Sequence, residues 1–450
     1  MTAPNVAIVG SGPSGFYAAE ALLEQHPTVR VDILDKLATP FGLVRFGVAP
    51  DHPKTKAIAK AFERTAENAR VRFLGNVEVG KDVSIEALTG AYSAVILAHG
   101  AAAPRRHPLA DAGLEGVIYA SDFTRWYNGH PDGQSLALPS GAASVAIYGM
   151  GNVSLDISRM LMLDSQELAA TDITEDALRA LRREPVQRVA IVGRGSLEQA
   201  KFSAPELRET ARIAGWRPVI AREGLSERDR ALLEGHVTAD DSRAQQNLEV
   251  LKEFVWATGQ PREVEFRFGT TIEGVEGSGR LSSVLLRDNT GQMSTEAQLL
   301  VLSIGQVVAP VPGLPLDESR GIIPNAWGRV LSLDGVVIEG LYVVGWAKRS
   351  SAGTIGSNRS CSRETIANLL LDLGDDPTDP RQRIVGWKDL YRRKAVDWNG
   401  WKRIDDEELA RGRAAGRSRV KITSRAELLK IATAENRRSA LPERNKKDAI

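Results

Sequence analysis

The sequence predicts an α/β fold in which two parallel-sheet domains share one chain and the second is inserted into the first. Two strand–turn–helix units support this prediction, because each has a short apolar run followed by a glycine-rich turn and a helical stretch. The first occupies residues 5–36, and the pattern restarts at 144–160. A chain of 450 residues is also too long for one compact core. We therefore expect two Rossmann-like dinucleotide-binding domains.

The first glycine-rich turn follows the N-terminal apolar run and contains Gly10, Gly12, Ser14 and Gly15. In such a turn the first glycine permits the bend, the second lets backbone amides approach a pyrophosphate, and the third lets helix and strand pack closely. Asp35 ends the next predicted strand, 20 residues beyond Gly15, where an acid accepts hydrogen bonds from a ribose 2′-hydroxyl. We predict that this turn binds a flavin dinucleotide.

The second glycine-rich turn, at 149–154, ends differently. Ser154 stands where a third glycine would be, but it is small enough for close packing, and Asn152 is polar at the expected phosphate position. The next apolar run ends at Gly193-Arg194, without an acid. An arginine there suits the 2′-phosphate of NADPH, because guanidinium and phosphate form paired hydrogen bonds. We predict NADPH binding at this turn, and a purely structural turn is the alternative.

Composition limits the classes of function. Apolar residues make up 42% of the chain and charged residues 26%, and the formal net charge is +1, so we expect neither a nucleic-acid nor a membrane partner. No apolar run approaches the roughly 18 residues of a membrane span. The N-terminus does not resemble a signal peptide, and a cytoplasmic location is therefore expected.

Cys361 is the single cysteine of the sequence. Alone it cannot form an internal disulfide, a Cys-x-x-Cys redox pair or a four-cysteine iron–sulfur site. Flavoenzymes that relay electrons through a dithiol are thereby excluded, and we predict no metal site. A bound flavin would have to pass electrons directly to an external acceptor.

Two further apolar runs predict where the first domain is interrupted. Residues 94–98 form a buried strand, and residues 341–346 form another that precedes a glycine-containing turn and a helical stretch. We predict that residues 1–105 begin the FAD domain, that 106–330 form the inserted NADP domain, and that 331–375 complete the FAD domain.

The C-terminal part of the sequence differs in character. A segment with glycine, acids and two prolines at 374–380 marks a boundary, and residues 376–450 form a basic C-terminal extension with three tryptophans. The run 411–419 is rich in arginine and broken by glycine, so we expect a solvated or extended arm there.

The segment from Asp32 to Pro53 carries the most distinctive pattern, with Phe41-Gly42-Leu43-Val44-Arg45 at its centre. It resembles the signature of the adrenodoxin reductase type of ferredoxin–NADP reductase. Further matches to this family occur at 151–156, 193–209 and 345–356, and the resemblance covers roughly residues 4–372. It implies an FAD enzyme that takes hydride from NADPH and passes single electrons to a ferredoxin, a small acidic iron–sulfur protein.

The resemblance also implies which residues contact the cofactors. The FAD contacts would be Gly15, Asp35, Leu43, Val79, Trp346 and the backbone of Gly353, Thr354 and Ile355. The NADPH contacts would be Gly151, Asn152, Val153, Ser154, Arg194, Glu206 and Gly353. In the same family a histidine at the His52 position and a glutamate at the Glu209 position lie near the flavin, where they would couple proton uptake to reduction. The alternative for His52 is a packing role in its proline-flanked turn.

One departure from the family pattern concerns the 2′-phosphate. The family usually has two adjacent arginines where this chain has Arg194-Gly195. Loss of one charge-assisted contact weakens phosphate binding by about 1.5–3 kcal/mol. Lys201 or Arg208 could compensate, whereas Glu198 would repel the phosphate. Use of NADH beside NADPH is therefore possible.

A ferredoxin partner predicts a basic docking face, for which the candidates are Arg208, Arg212, Lys348 and Arg349. Two other classes of function stay open on the sequence. One is another FAD/NAD(P)H oxidoreductase, such as a monooxygenase or a glutamate-synthase-type electron-input subunit. The other is a non-catalytic dinucleotide redox sensor.

Overall fold

A computed structural model of the protein describes residues 3–133, 136, 138–183, 185–351, 353–374 and 395–434. Within these residues the strands are β1 (Asn5–Val9), β2 (Arg30–Leu34), β3 (Val71–Leu74), β4 (Ala94–Leu97), β5 (Ala103–Pro104), β6 (Val117–Tyr119), β7 (Ser144–Tyr148), β8 (Arg188–Val192), β9 (Arg217–Ile220), β10 (Val255–Trp256), β11 (Glu263–Arg267), β12 (Thr271–Gly277), β13 (Leu281–Asp288), β14 (Gly291–Glu296), β15 (Leu299–Leu302), β16 (Gln306–Val307), β17 (Asn325–Ala326), β18 (Arg329–Leu331) and β19 (Val337–Val343).

The α-helices of the same residues are α1 (Pro13–Gln25), α2 (Leu43–Phe46), α3 (Pro53–Lys56), α4 (Ala59–Ala66), α5 (Ile85–Ala91), α6 (Ala120–Asn128), α7 (Asn152–Met162), α8 (Ser165–Ala170), α9 (Glu175–Arg183), α10 (Ala204–Ala211), α11 (Glu227–Leu233), α12 (Ser242–Leu251), α13 (Trp346–Arg349), α14 (Ser357–Leu373), α15 (Trp398–Ala414) and α16 (Arg425–Ala432). Two short 3-10 helices lie at Pro108–Ala112 and Leu197–Gln199.

The first domain is built on a seven-stranded sheet with the strand order β17-β18-β19-β4-β1-β2-β3. From β19 to β3 the neighbouring strands are parallel. Side chains of β1 alternate between two apolar layers, with Val6 and Ile8 in one and Ala7 and Val9 in the other. Burial on both faces is typical of a parallel sheet covered by helices, and it explains the unbroken apolar runs in the sequence.

The second domain has a seven-stranded sheet in the order β10-β9-β11-β8-β7-β15-β6, in which all neighbouring strands are parallel. The strand β7 is also buried on both faces. A three-stranded antiparallel sheet, β12-β13-β14, packs against one of these faces through Val284 and Leu286. The parallel order places both glycine-rich turns at the carboxyl ends of central strands, where α/β folds bind ligands.

Two chain segments connect the domains side by side, because β5 leaves the first domain and pairs antiparallel with the returning β16. The chain rejoins the first sheet at Asn325, so residues 325–330 lie in that sheet and not in the second domain as predicted. The other predicted domain limits stay a prediction.

The expectation of a solvated or extended arm at 411–419 is wrong in part, because the segment is packed although residues 413–416 are exposed. Residues up to Ala414 continue the helix α15, and Gly412 is buried against the backbone of Arg419. The indole of Trp401 is 1% exposed within the apolar core of the first domain. Residues 375–394 and 435–450, which include Trp387, lie outside the described residues.

Candidate functional site

The first glycine-rich turn has the geometry of a phosphate-binding turn. Gly10 has a φ of +112°, and a Cβ there would lie 2.5 Å from the carbonyl oxygen of Ala98. A Cβ on Gly15 would lie 2.1 Å from the carbonyl oxygen of Gly10, whereas one on Gly12 would meet nothing within 4 Å. The turn is therefore closed behind Gly10 and Gly15 and open in front of Gly12. This open side meets the N-terminus of α1, where phosphate binds favourably.

Asp35 lies at the end of β2, against the same turn. Its Oδ2 accepts hydrogen bonds from the backbone N–H of Ser11 (2.9 Å) and from the Ser11 hydroxyl (2.6 Å), and its Oδ1 accepts one from Leu37 N (2.9 Å). Burial raises the pKa of the carboxyl, and these hydrogen bonds oppose the rise. Since a carboxylate oxygen accepts more than one hydrogen bond, capacity for a ribose hydroxyl remains.

The predicted signature segment covers the first turn. Phe41 N donates a hydrogen bond to the carbonyl oxygen of Ser11 (2.9 Å), and a Cβ on Gly42 would lie 3.0 Å from the Cα of Gly12. Leu43, the first residue of α2, is exposed beside this contact. Val79 lies in the loop after β3 and packs against the second apolar layer of the sheet. These residues border the edge of the sheet that contains the turn.

Two aromatic side chains at the carboxyl ends of β4 and β19 have buried polar atoms without partners. The Nε1 of Trp346 and both ring nitrogens of His99 lack hydrogen-bond partners within the described residues. Buried polar groups normally have partners. Burial lowers the pKa of His99 to about 4, so its ring is neutral. The orphaned donors, the open turn and Asp35 together fit the requirements of a bound FAD.

The loop before α14 brings backbone close to the same region. Gly353 has a φ of +91°, and a Cβ there would lie 2.5 Å from the Ser357 hydroxyl, so a side chain would be strained at this position. Thr354 and Ile355 follow, and their carbonyl oxygens accept hydrogen bonds from Asn358. The segment therefore has a fixed backbone at the entry to a long helix.

The second glycine-rich turn repeats this geometry at β7. Gly149 has a φ of +136°, with the carbonyl oxygen of Ser303 2.1 Å from a Cβ there, and Gly151 is open. The Ser154 hydroxyl donates to the carbonyl oxygen of Gly149 (2.7 Å), and Asn152 Oδ1 accepts from Ser203 N (2.8 Å). The Ser154 side chain thus closes the turn, and that of Asn152 joins it to the start of α10. The N-terminus of α7, with Val153 exposed at its first turn, is left to face an anion.

Arg194 is exposed two residues beyond β8. The expected repulsion by Glu198 is wrong in part, because Arg228 binds this carboxylate with two hydrogen bonds of 2.7 and 2.9 Å. The Arg228 side chain is the first cause of the lowered pKa of Glu198. Lys201 and Arg208 are exposed and are available as further cations.

His52 lies where the two domains meet. Its Nε2 is 3.3 Å from Glu206, 3.6 Å from Asp156, and 3.7 Å from both Asp51 and Glu209. Hydrogen bonds with Asp156 and Glu206 raise the pKa of His52 to about 10, against the opposing effects of burial and of Arg159. This shift favours the protonated imidazole, whereas the Arg159 guanidinium, which contacts the same Nε2 and can only donate, favours the neutral ring.

Arg159 joins the domains at the same place. Its side chain is 2% exposed, and its guanidinium donates to Asp51 Oδ2 (2.8 Å) in the first domain and to Glu206 Oε2 (3.1 Å) in the second. It also contacts Asp156 and His52. His52, Glu206 and Glu209 have ligand-type atoms within 4.8 Å of one another, but this guanidinium already supplies positive charge there. The absence of a metal site stays a prediction.

Comparison with known proteins adds to this geometry. The family described as NAD(P)-binding Rossmann-like domain matches residues 8–74. NADPH-ferredoxin reductase FprA of Mycobacterium tuberculosis is 40% identical to the chain, over 95% of the chain and 98% of the relative. The chain belongs to the adrenodoxin reductase type of ferredoxin–NADP reductase. The mitochondrial NADPH:adrenodoxin oxidoreductase of Mus musculus is 37% identical, over 95% of the reductase chain and 91% of the relative.

The solved structure of Mycobacterium tuberculosis FprA in complex with NADPH has a TM-score of 0.86 and 37% identity to the reductase, and the match covers 96% of the reductase and all of the solved chain. The predicted fold class, the enzyme class and the use of FAD and NADPH are thereby confirmed. None of the helices among the described residues of the reductase combines the length and the apolar character that crossing a bilayer requires.

The structure brings together some of the predicted site residues of the reductase and adds others. His52, Glu206 and Glu209 lie together, but Glu209 is the most exposed of the group, with 59% of its side chain accessible. Sequence reasoning missed Arg159, which has no motif of its own. It also missed Asp51 and Asp156, although both lie inside the segments that carry the family resemblance.

Proposed function

We propose that this reductase passes hydride from NADPH to FAD and then single electrons to a small acidic iron–sulfur protein of the ferredoxin type, in the cytoplasm. Bound FAD supplies the chemistry that joins the two steps, because it accepts electrons in pairs and releases them singly. The carrying observation is that Asp51 and His52 of the first domain lie within 4 Å of side chains that follow the second turn. The sites that would hold the two cofactors therefore meet at this cluster of side chains.

In this proposal the first domain holds FAD between the glycine turn and the loop before α14. Asp35 binds the adenosine ribose, and Leu43 and Val79 border the dinucleotide. The Trp346 Nε1 donates a hydrogen bond to the bound group, which removes its lack of a partner. The residues involved are Gly10, Gly12, Ser14, Gly15, Asp35, Leu43, Val79, Trp346, Gly353, Thr354 and Ile355.

NADPH is bound by the second domain in the same proposal. The N-terminus of α7 at 151–154 meets the pyrophosphate, and Arg194 binds the 2′-phosphate. Arg159 and His52 hold Glu206 at the junction of the domains. There Glu206 orients the side chains of Arg159 and His52 toward the nicotinamide end of bound NADPH.

His52 Nε2 lies 3.3 Å from Glu206 Oε2 and contacts the Arg159 guanidinium, so the ring can exchange a proton with this carboxylate. Glu209 lies 3.7 Å away and is mostly exposed, so it can exchange protons with water. We infer that this pair keeps positive charge near the flavin and replaces the proton when needed.

The proposal includes a basic docking face, but with fewer residues than the sequence predicted. Arg208 and Arg212 are exposed at the end of α10. Lys348 is only 11% exposed and binds Glu364 and Thr365, so the expectation of a free charge there is wrong. Arg349 is likewise engaged, with hydrogen bonds to Ser357 and Asn358. The α10 arginines are therefore the candidates that remain for an acidic partner.

We expect cytochrome c reduction by the enzyme and NADPH to rise at least about tenfold when a ferredoxin is added at low salt, and to fall as ionic strength increases. Arg212→Glu lowers this rate, while direct bleaching of the flavin by NADPH is unchanged. Arg179→Glu, an exposed arginine of the same domain, serves as the control. No stimulation by ferredoxin, together with NADPH oxidation stimulated by an organic substrate, would indicate a monooxygenase. A flavin that NADPH does not bleach would indicate a sensor.

Gly195→Arg should raise the preference for NADPH over NADH. A Cβ at this position meets the movable end of Gln199 at 2.7 Å, and the φ does not require glycine. A second guanidinium beside Arg194 adds about 1.5–3 kcal/mol of phosphate binding, so the ratio of kcat/KM values for NADPH and NADH increases about tenfold to a hundredfold.

Gly195→Ala is the matched control for this substitution, because it introduces the Cβ without the charge. Steady-state kinetics of both variants with NADPH and with NADH give the two ratios of kcat/KM that are compared. Equal ratios for the alanine and arginine variants would show that Arg194 does not lie at a 2′-phosphate site.

A further inference from the structure

The C-terminal segment 395–434 contacts both domains, and we name it the strap. Its attachment to the first domain is apolar and ionic. Trp401 packs edge-on against Phe41, with ring centroids 5.7 Å apart. Glu408 is fully buried and accepts a 2.5 Å hydrogen bond from Arg45. Phe41 and Arg45 flank Leu43, so the strap supports the same segment that covers the first glycine turn.

The attachment to the second domain is made by cations of the strap. Arg417, whose side chain is 6% exposed, donates to the carbonyl oxygen of Thr171 (3.0 Å) and also contacts the Ile173 carbonyl and Glu175. Arg425 binds Asp132 through two hydrogen bonds of 2.8 and 2.9 Å. Each of these contacts joins residues that are more than 240 positions apart in the sequence.

A buried junction connects the first domain, the second domain and the strap. Asp172 of the second domain accepts from Lys56 of the first domain (2.6 Å) and lies 2.9 Å from Lys421 of the strap. Asn128 Oδ1 lies within hydrogen-bond distance of the same two ammonium groups, at 3.2 and 3.3 Å. Lys421 also donates to the carbonyl oxygen of Arg45 (3.3 Å). Because these groups are shielded from water, moving one domain away would leave charges unpaired.

The rate of hydride transfer depends on how the two domains are placed relative to one another. Hydride transfer requires the reacting atoms to approach within about 3–3.5 Å, and a misplacement of about 1 Å can cost a hundredfold in rate. The two cofactors belong to different domains, so the relative placement of the domains determines that distance. The cluster around Arg159, the Lys56–Asp172 ion pair and the paired segments β5 and β16 already join them directly. The strap is a further attachment at a different place.

We propose that the strap is a positioning element that holds the second domain at the angle required for hydride transfer, and that Arg417 is its main positioning residue. This inference rests on the hydride-transfer half of the proposed function. It does not depend on the identity of the electron acceptor.

The test compares Arg417→Ala with Arg413→Ala in the holoenzyme. Arg413 is exposed on the same strap, and its side chain makes no ion pair with the part of the chain that the structure describes. We expect the Arg417 variant to retain FAD and its affinity for NADPH, while flavin bleaching in stopped-flow experiments becomes at least about tenfold slower. Arg413→Ala behaves like the wild type, and Arg417→Lys recovers part of the rate.

Two further measurements separate positioning from general damage. Amide hydrogen exchange of the holoenzyme should increase at 171–175 in Arg417→Ala and not in Arg413→Ala. Enzyme reduced chemically with dithionite should pass electrons to the acceptor at the wild-type rate in both variants, because that step does not involve the nicotinamide.

The inference is overturned if Arg417→Ala is bleached as fast as Arg413→Ala. It is also overturned if FAD loss and slower electron release accompany the slower bleaching, because the strap then only stabilises the fold. Arg425→Ala removes an exposed contact of the strap and keeps the proposal testable if Arg417→Ala does not fold. It should slow bleaching about two- to threefold. Normal bleaching of the wild type without electron transfer to ferredoxin would refute the proposed partner and leave this inference standing.

Discussion

Replacing Trp401 with alanine is expected to lower the free energy of unfolding by about 3–5 kcal/mol. The indole is 1% exposed, lies against Phe41, and has the Arg45 guanidinium 5.2 Å from its ring centre. Truncation removes this apolar contact and leaves a cavity beneath the segment that covers the first glycine turn. Because that segment borders the FAD site, the thermal transition should fall by about 5–15 °C, with earlier release of flavin.

Flavin fluorescence during thermal unfolding measures this effect, and Trp327→Ala is the matched control. Trp327 is 70% exposed, so the same substitution there removes little buried surface and should change the transition by less than about 2 °C. If the two variants melt together, the strap is not packed in the core of the first domain.

Trp401 is buried and Trp327 is exposed, and the residues around each of them in the sequence do not indicate this difference. The glycine turns, the apolar strands before them and the acid at Asp35 could be predicted, because each depends on residues close together in the chain. The strap segment 411–419 was predicted to be a solvated or extended arm because it is rich in arginine and broken by glycine. Its arginines instead bind buried or distant carboxyl and carbonyl groups, as Arg417 does at Thr171.

Long-range ionic contacts explain the rest of the difference. Glu408 is paired with Arg45 across 363 positions, and Asp51 is paired with Arg159 across 108. No spacing or periodicity in the sequence connects such partners, since only the folded topology brings them together. The same limit applies to Lys348, whose charge looked free in the sequence but is held by Glu364. It also applies to His99, whose missing partners are visible only once its burial is known.

Replacing Arg159 with methionine is expected to destabilise the enzyme by about 3–5 kcal/mol near neutral pH, because breaking a buried ion pair leaves charge uncompensated. Methionine has a similar length, so packing is largely kept. The substitution leaves Asp51, Asp156 and Glu206 without the guanidinium that they share. It also removes one of the contacts that join the domains, so hydride transfer should slow as well.

The pH dependence of this effect has a definite sign. In the wild type, the hydrogen bond with His52 is the first cause of the lowered pKa of Glu206, so its contribution to stability is present above the usual glutamate range and is lost on acidification. The pKa of His52 is raised to about 10, so its contribution is complete below its usual value of 6.5 and is lost as the pH rises through 10.

Without Arg159, one of the causes that lower the pKa of Glu206 is lost, so this carboxyl takes up a proton at a higher pH than in the wild type. The difference in stability between Arg159→Met and the wild type should therefore be largest between about pH 5 and 8 and should decrease as the pH falls from about 5 to 3, where Glu206 is protonated. Thermal unfolding of both proteins across this range measures it. Arg179→Met provides the comparison, because the ion pair of Arg179 with Asp176 is exposed and its loss should cost less than about 0.5 kcal/mol at every pH. A pH-independent loss in the Arg159 variant would mean that packing, and not charge, joins the two domains at His52.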